Sequence, residues 1–179
     1  MTEKELINEH VPRKYSEQMA LNMTEKERNN LTAFLHDDFE QSLIESGFMV
    51  LRSSYRGKSN ESIERELKIR EKLGINKPLS DLCGIRFVFE TDEEIDKVID
   101  WIGKEYCPPD EYDFKAPWIR DFRKNDIELR YRAVHIRLPF KLAEGEKEYV
   151  DLMEVQLVTD KQEEINLILP KRVNLNDLD

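Results

Sequence analysis

The stretch DLCGIRFVFETDEEIDKVID (residues 81–100) decides the fold of this chain. Alternate positions in its first half are apolar, namely Ile85, Phe87 and Phe89. This period of two is typical of a half-buried β-strand. Thr91 followed by Glu94 then matches a capping box, which predicts a helix that begins here and ends near residue 104. The sequence therefore predicts a strand that leads directly into a helix.

The residues before this stretch predict a helix, a strand and a second helix. Apolar residues recur every fourth position within about 24–45, as in an amphipathic helix: Leu31, Leu35, Phe39 and Leu43. Gly47 follows and is expected to end that helix. Residues 48–56 read as a short strand, and either Ser59 or Asn60 can cap the next helix. The upstream order is thus helix, strand, helix.

The residues after residue 100 predict a loop and two more strands. Residues 107–125 carry three prolines and many charges, so we expect a long functional loop there. Residues 130–140 and 149–159 read as strands that pair as a hairpin. Strands mixed with flanking helices indicate an α/β or α+β sheet protein. No repeat or linker divides the 179 residues, so we expect one domain.

Composition limits the classes of function. The net charge of −10 excludes a globally basic surface, which favours a small-molecule substrate over nucleic acid. No apolar run approaches the roughly 20 residues of a membrane span, and the first residues lack a signal-peptide pattern. We therefore expect a cytoplasmic protein with no membrane partner. Cys83 and Cys107 have no CxxC spacing, and we interpret both as reduced structural residues.

The two downstream strands predict a polar sheet surface. In a strand, residues two apart point to the same face, so Tyr131 and His135 share one side with Ala133 and Arg137. Val134, Ile136 and Leu138 share the other side, which must face the core. By the same parity Glu154 and Gln156 share a face, while Met153, Val155 and Leu157 point into the core. An aromatic ring, an imidazole, a carboxylate and an amide on adjacent strands form a plausible floor for a nucleotide.

A second carboxylate, Asp81, lies at the start of the apolar strand, and Arg86 faces away from Ile85 and Phe87. Acidic groups from two neighbouring strands can bind Mg²⁺ together with the phosphates of a substrate. An acid at a strand edge is, however, more often a solvated surface residue than a metal ligand. The residues alone leave both interpretations open.

Four blocks of the sequence, in this order, resemble the synthetase domain of the RelA/SpoT family, most closely its small single-domain alarmone synthetases. They are YRGKSNESIEREL (55–67), DLCGIRFVF (81–89), YRAVH (131–135) and EVQLVT (154–159). The resemblance covers about residues 31–159. It implies a nucleotidyltransferase-like mixed β-sheet flanked by helices. The synthetase domain would span 24–169, between an N-terminal extension (1–23) and a C-terminal tail (170–179).

The resemblance implies a pyrophosphokinase that uses ATP and Mg²⁺. Members of the family transfer the β,γ-pyrophosphate of ATP to the ribose 3′-hydroxyl of GDP or GTP, which yields (p)ppGpp and AMP. Carried over by position, Asp81 and Glu154 would hold magnesium, and Glu154 would also accept the hydroxyl proton. The ATP site would comprise Arg56, Lys58, Ser62 and Arg86, of which Arg86 adds charge near the donor. The acceptor site would comprise Tyr131, His135, Gln156 and Lys124.

The chain departs from the family pattern at three places. Glu66 stands where the family usually has a lysine, eight residues after Lys58, and Val158 stands where it has an arginine. The segment before Tyr131 reads DFRKNDIELR instead of a Pro-Lys and Asn-Gly pattern, which leaves the acceptor open. Basic residues are densest in this part of the chain and suit acceptor phosphates or an RNA end: Arg120, Arg123, Lys124, Arg130 and Arg132.

Two other functions therefore stand beside alarmone synthesis. One is that of a toxic relative that pyrophosphorylates adenine nucleotides or the 3′ end of tRNA. The other is that of a nucleotide-binding domain that has lost turnover, an interpretation motivated by Glu66 and Val158. The partners left open by the sequence are a second copy of the chain, an antitoxin protein and tRNA.

Overall fold

The structure is a computed structural model that describes residues 22–75, 81–105, 119–123, 132–141 and 149–168. Within these residues the elements follow in the order α1 (Glu25–Glu45), β1 (Arg52–Gly57), α2 (Asn60–Lys72), β2 (Cys83–Phe89), α3 (Asp92–Glu105), β3 (Ile119–Asp121), β4 (Val134–Lys141), β5 (Tyr149–Thr159) and α4 (Asp160–Ile168).

The five strands form one sheet in the order β1-β2-β5-β4-β3. β2 and β5 are parallel, whereas β1 with β2, β5 with β4 and β4 with β3 are antiparallel. A parallel pair requires a long crossover, and here the crossover from β2 to β5 contains α3, β3 and β4. The mixed sheet with flanking helices confirms the predicted fold class, and the pairing of β4 with β5 confirms the predicted hairpin.

The core lies between one face of the sheet and the helices α1 and α3. Phe87 in β2 is fully buried and stacks on Phe39 of α1 with ring centroids 5.5 Å apart. The other core residues are the apolar, alternating positions predicted for the strands and helices, among them Leu35, Leu43, Ile85, Phe89, Ile95, Val98, Ile136, Val155 and Leu157. Because both helices cover the same face, the opposite face can carry polar groups.

The helix caps follow the sequence signals. Thr24 and Glu27 form a complete capping box at the start of α1, and Ser59 rather than Asn60 caps α2. At the start of α3 the Glu94 backbone N–H donates to Thr91 Oγ1 at 3.2 Å. Gly47 adopts φ +86°, the left-handed conformation that commonly ends a helix. These local predictions are confirmed.

Three predicted boundaries differ from the structure. β1 begins at Arg52 and not at residue 48, because the Phe48 N–H still donates to the Leu43 carbonyl at the end of α1. β4 begins at Val134 and not at residue 130; residues 130 and 131 lie outside the described residues. The predicted loop 107–125 contains the strand β3, whose three residues are too few to give an alternating pattern.

Cys83 is a free, buried thiol at the start of β2, in agreement with a structural role, and Cys107 lies outside the described residues. Burial raises the pKa of the Cys83 thiol, which keeps it protonated and unreactive. None of the described helices has the length and apolar composition needed to cross a membrane.

Candidate functional site

The sheet face opposite α1 and α3, here called the polar face, carries two rows of side chains that cross the strands. In the first row the register aligns Arg56, Gly84, Glu154 and Arg137. In the second row it aligns Ser54, Arg86, Gln156, His135 and Arg120. The predicted parity of the strand residues is therefore confirmed.

Four of the predicted site residues form a continuous chain of contacts on the polar face. Arg86 donates to Gln156 Oε1 from Nη2 at 2.7 Å and from Nε at 3.2 Å. Gln156 Nε2 in turn donates to Glu154 Oε1 at 3.0 Å. His135 Nδ1 lies 3.1 Å from the same carboxylate oxygen. Residues from β2, β5 and β4 are thus joined across the centre of the sheet.

The environment of Glu154 favours its ionised form. Burial alone would raise the pKa of this carboxyl, but hydrogen bonds from His135 and Gln156 and the charges of His135 and Arg120 lower it. The net effect is a lowered pKa. Glu154 is thus a half-buried carboxylate at neutral pH, with hydrogen-bonding partners on Oε1, the oxygen that both His135 and Gln156 contact.

A second cluster of predicted residues surrounds Lys58, which follows β1. Lys58 Nζ donates to both oxygens of Asp81, at 2.7 and 2.8 Å, and also to the carboxylate of Glu66. Glu66 accepts a further bond at 2.9 Å from Arg70 Nε. Burial alone would raise the pKa of Glu66, but the bonds from Lys58 and Arg70 lower it. The cation predicted to bind ATP is therefore held by two carboxylates.

The partnership of Lys58 with Glu66 was missed by the sequence analysis. From the sequence, Glu66 was identified only as a departure from a lysine. The spacing of Glu66 and Arg70 is the i, i+4 spacing of a helical ion pair and was an available signal that Glu66 is paired. Arg70 is bonded to the same Glu66 carboxylate, so its charge is paired within this cluster. The donor end of the site therefore carries a charge-balanced cluster.

The other predicted ATP residues lie close along the chain. Arg56 is exposed in β1, and Ser62 is in the first turn of α2. Residues 57–60, from the last residue of β1 to the first residue of α2, are here called the β1–α2 loop. Ser59 Oγ accepts from the Ser62 N–H at 3.2 Å, so the loop leads directly into a capped helix N-terminus. Helix N-termini attract phosphate groups.

Of the two carboxylates predicted to hold magnesium, Asp81 lies two residues before β2, and Glu154 lies in β5, the parallel neighbour of β2. Asp81 precedes Gly84 by three residues, at most about 10 Å of extended chain, and Gly84 pairs with Glu154. Among the described residues no group of three or more His, Cys, Asp or Glu side chains forms a metal site. Magnesium typically uses one or two protein carboxylates plus substrate phosphates. The magnesium role of Asp81 and Glu154 therefore stays a prediction.

Gly84 leaves a gap in the first row between Arg56 and Glu154. Among the described residues, a Cβ added at this position would have one heavy atom within 4 Å, the Arg56 carbonyl oxygen at 3.5 Å. No role for Gly84 was predicted from the sequence. An isolated glycine within an apolar strand can signal the close approach of a ligand and was available as a clue.

Beyond the second row the same face becomes apolar. Val88, Ala133 and Val158 form a small buried cluster there, and α4 packs beside it. Arg52 of β1 reaches across to Asp160 and to Glu163, the latter at 2.7 Å. The position at which the family has an arginine is therefore a core position in this chain. The predicted site residues on this face therefore lie within the two rows.

The remaining predicted residues are only partly described. Tyr131 and Lys124 lie outside the described residues. The interpretation of Arg123 as part of a free basic patch is wrong, because this guanidinium is 9% exposed and paired with Asp92, Asp96 and Asp121. Those pairs raise the pKa of Arg123 further. Arg120 is exposed at the end of the second row and can still meet an anion.

The lowered pKa of Glu154 predicts a pH dependence of stability. A carboxyl whose pKa is lower in the folded state stabilises the fold above its unfolded pKa, and this contribution is lost as the pH falls through the folded pKa. Below about pH 4.5 the free energy of unfolding of the unaltered protein should therefore fall more steeply than that of Glu154→Gln.

Urea denaturation at a series of pH values, followed by circular dichroism, measures this difference. Glu164→Gln, at an exposed position of α4, is the control and should retain the slope of the unaltered protein. If the free energy of unfolding falls equally with pH in Glu154→Gln and in the unaltered protein, the lowered pKa of Glu154 is contradicted.

Solved structures with a similar fold include two small alarmone synthetases and a GTP pyrophosphokinase family protein. The small alarmone synthetase 1 of Bacillus subtilis, bound to its product pppGpp, has a TM-score of 0.56 at 18% identity, over 78% of this chain and 71% of that one. A GTP pyrophosphokinase family protein of Streptococcus pneumoniae has a TM-score of 0.56 at 17% identity, over 76% and 68%. The small alarmone synthetase 2 of Bacillus subtilis has a TM-score of 0.54 at 21% identity, over 82% and 84%. At these identities the comparison shows the fold.

The sequence comparison reaches further. No curated protein sequence matches the chain. Residues 55–168, however, match the model of a family described as a region found in RelA/SpoT proteins. This match includes the last three residues of β1, all of β2, β3, β4 and β5, and every predicted site residue. Because it spans more than half of the chain, the protein belongs to the RelA/SpoT family.

Proposed function

We propose that this protein transfers the β,γ-pyrophosphate of ATP to the ribose 3′-hydroxyl of GDP or GTP. The observation that carries the proposal is the arrangement on one sheet face. The carboxylate of Glu154 lies in the same row as Arg56 and next to the row of Arg86, Gln156 and His135. The family assignment and the GTP pyrophosphokinase and alarmone synthetases among the similar folds support it.

The donor half of the proposal rests on the β1–α2 loop. Arg56 and Lys58 flank Gly57, and Ser62 lies in the capped first turn of α2, so cations and helix N–H groups are presented by one segment. Transfer of a phosphoryl or pyrophosphoryl group depends mainly on positioning and on neutralisation of charge. Magnesium held by Asp81 and Glu154 would supply further neutralisation at the phosphates.

The acceptor half rests on the second row and on Glu154. His135 and Gln156 would line the pocket for the acceptor, together with Tyr131 and Lys124. The ionised Glu154 carboxylate would accept the proton of the attacking ribose hydroxyl, since a base needs only hydrogen-bond reach to its proton. The gap above Gly84, between Arg56 and Glu154, offers room on the sheet for the groups that react.

One observation supports a second candidate, a nucleotide-binding domain without turnover. Lys58 is bonded to Asp81 and Glu66, and its side chain is only 11% exposed. A cation held this way must exchange a partner before it can contact phosphates. Intact ATP binding without AMP release would support this candidate over the enzyme.

The position of isotopic label in the product tests the reaction. We expect label to enter the acceptor from β-labelled and from γ-labelled ATP but not from α-labelled ATP, with release of AMP. Thin-layer chromatography with GDP, GTP, adenine nucleotides and tRNA as separate acceptors measures this outcome. Label transferred only from the γ position would indicate a simple kinase, and label from the α position a nucleotidyltransferase. Either result would overturn the proposal.

The two carboxylates should be essential for turnover. Asp81→Asn and Glu154→Gln should each lower kcat by about 100-fold or more, because each removes charge that supports the metal and the reacting hydroxyl. Both variants should retain the fold of the unaltered protein, as judged by circular dichroism. Asp96→Asn, an exposed acid on α3, is the control and should keep the unaltered rate. Near-normal rates for either site variant at saturating magnesium would reject its role.

The ion pairs of Lys58 predict that Glu66 weakens ATP binding. Glu66→Gln should lower the KM for ATP by about twofold to fivefold, since a partly exposed ion pair is worth about 0.2–1 kcal/mol. Glu64→Gln, an exposed position on the same helix, should leave this KM unchanged. Steady-state kinetics with varied ATP measure the effect. A higher KM in Glu66→Gln would instead mean that Glu66 holds Lys58 in a productive position.

A further inference from the structure

The N-terminal turns of α1 are bonded to the β1–α2 loop through a buried arginine. Arg28 is only 2% exposed, and its Nε donates to the Lys58 carbonyl at 2.8 Å. Its Nη2 donates to Asn60 Oδ1, and its Nη1 donates to the Met23 carbonyl at 2.6 Å. One guanidinium therefore contacts both the loop and the start of α1.

Neighbouring contacts fix the same loop from the same helix. Asn29 Oδ1 accepts from the Gly57 N–H at 2.9 Å, and the Glu25 carboxylate accepts from the Asn60 N–H at 3.2 Å. The loop also lies too close to α1 for a side chain at Gly57. An added Cβ there would be 2.8 Å from Asn29 Oδ1 and 2.9 Å from backbone atoms of Arg28 and Asn29.

This arrangement uses a buried cation to hold a loop. Removing a guanidinium from water is costly unless its N–H groups are satisfied, and here loop and helix oxygens accept them. The planar fork of arginine fixes several acceptors at once, which a lysine cannot do. The charge also lies directly behind the backbone of Lys58, where it favours the approach of an anion.

We propose that Arg28 is a positioning residue of the ATP site. Its guanidinium holds the β1–α2 loop in the conformation in which Lys58 and the N-terminus of α2 meet the phosphates of ATP. This role rests on the proposed function, because it presumes that the loop binds the donor nucleotide. Arg28 itself is buried behind the loop and touches no substrate.

The test measures binding and does not depend on turnover. Arg28→Gln should raise the Kd of a non-hydrolysable ATP analogue by about tenfold or more, because hydrogen bonds from a charged group are lost. The Kd of GDP should change by less than about twofold, since a local defect in the donor loop leaves the acceptor pocket intact. Hydrogen–deuterium exchange should be faster in the loop amides of this variant.

A matched control separates this role from a general loss of stability. Thr32 lies one turn further along α1, is fully buried and donates to the Arg28 carbonyl at 2.6 Å. Thr32→Val should lower the midpoint of thermal unfolding but leave the ATP-analogue Kd and the loop exchange unchanged. Asn60→Ala removes only one loop contact of Arg28 and should raise the same Kd by a smaller factor.

The outcomes distinguish the two proposals. A folded Arg28→Gln with the unaltered Kd for the ATP analogue would overturn the positioning role, as would equal losses for ATP analogue and GDP. If Arg28→Gln does not fold, Asn60→Ala decides, and an unchanged Kd in that variant overturns the role. Failure of the unaltered protein to bind the ATP analogue would overturn the proposed function and with it the donor-site role of Arg28.

Discussion

The parallel pairing of β2 with β5 is the constraint on which the rest of the structure depends. Its register aligns Gly84 with Glu154 and Arg86 with Gln156. A shift by one residue would move each of these side chains to the opposite face and bring apolar residues into water. The fully buried Phe87 and Leu157, which are aligned in the same register, prevent such a shift. The core therefore fixes the positions of the polar groups.

The helix α1 contacts both the hydrophobic core and the β1–α2 loop. Its C-terminal half contributes Phe39 and Leu43 to the core, while its N-terminal half bonds the β1–α2 loop through Arg28 and Asn29. Because close-packed interiors have low compressibility, a shift of α1 relative to the core would also shift the loop that is bonded to it. The core contacts of Phe39 and Leu43, more than one helical turn from the loop, thus help to fix the position of the loop on the sheet.

The sequence predicts this fold well where the determinants are local. Strand parity placed His135, Glu154 and Gln156 on one face, and capping signals located the starts of α2 and α3, because each depends on residues a few positions apart. Boundaries were less certain where a helix end and a strand start share residues, as at Phe48. The three residues of β3 are held by their partner strand and carry no pattern of their own.

Contacts made through space explain what the sequence did not predict. Lys58 and Asp81 are 23 residues apart, and Arg123 reaches Asp96 over 27 residues, so charge pairing could not be read from spacing. The burial of Arg28 was unexpected as well, since arginine is mostly exposed in folded proteins. Val158 was noted as a departure, but its place in a buried cluster follows only from the packing of α4 beside β5.

The order of the strands has a consequence for how the chain reaches its native state. Among the described strands β5 is the last in the sequence, yet it lies at the centre of the sheet. Its pairing of Met153 with Cys83 closes a segment of about 70 residues, and such distant contacts slow folding. Until β5 leaves the ribosome, β2 and β4 each present an unpaired edge. The nascent protein is therefore open to aggregation while the residues between β2 and β5 are being synthesised.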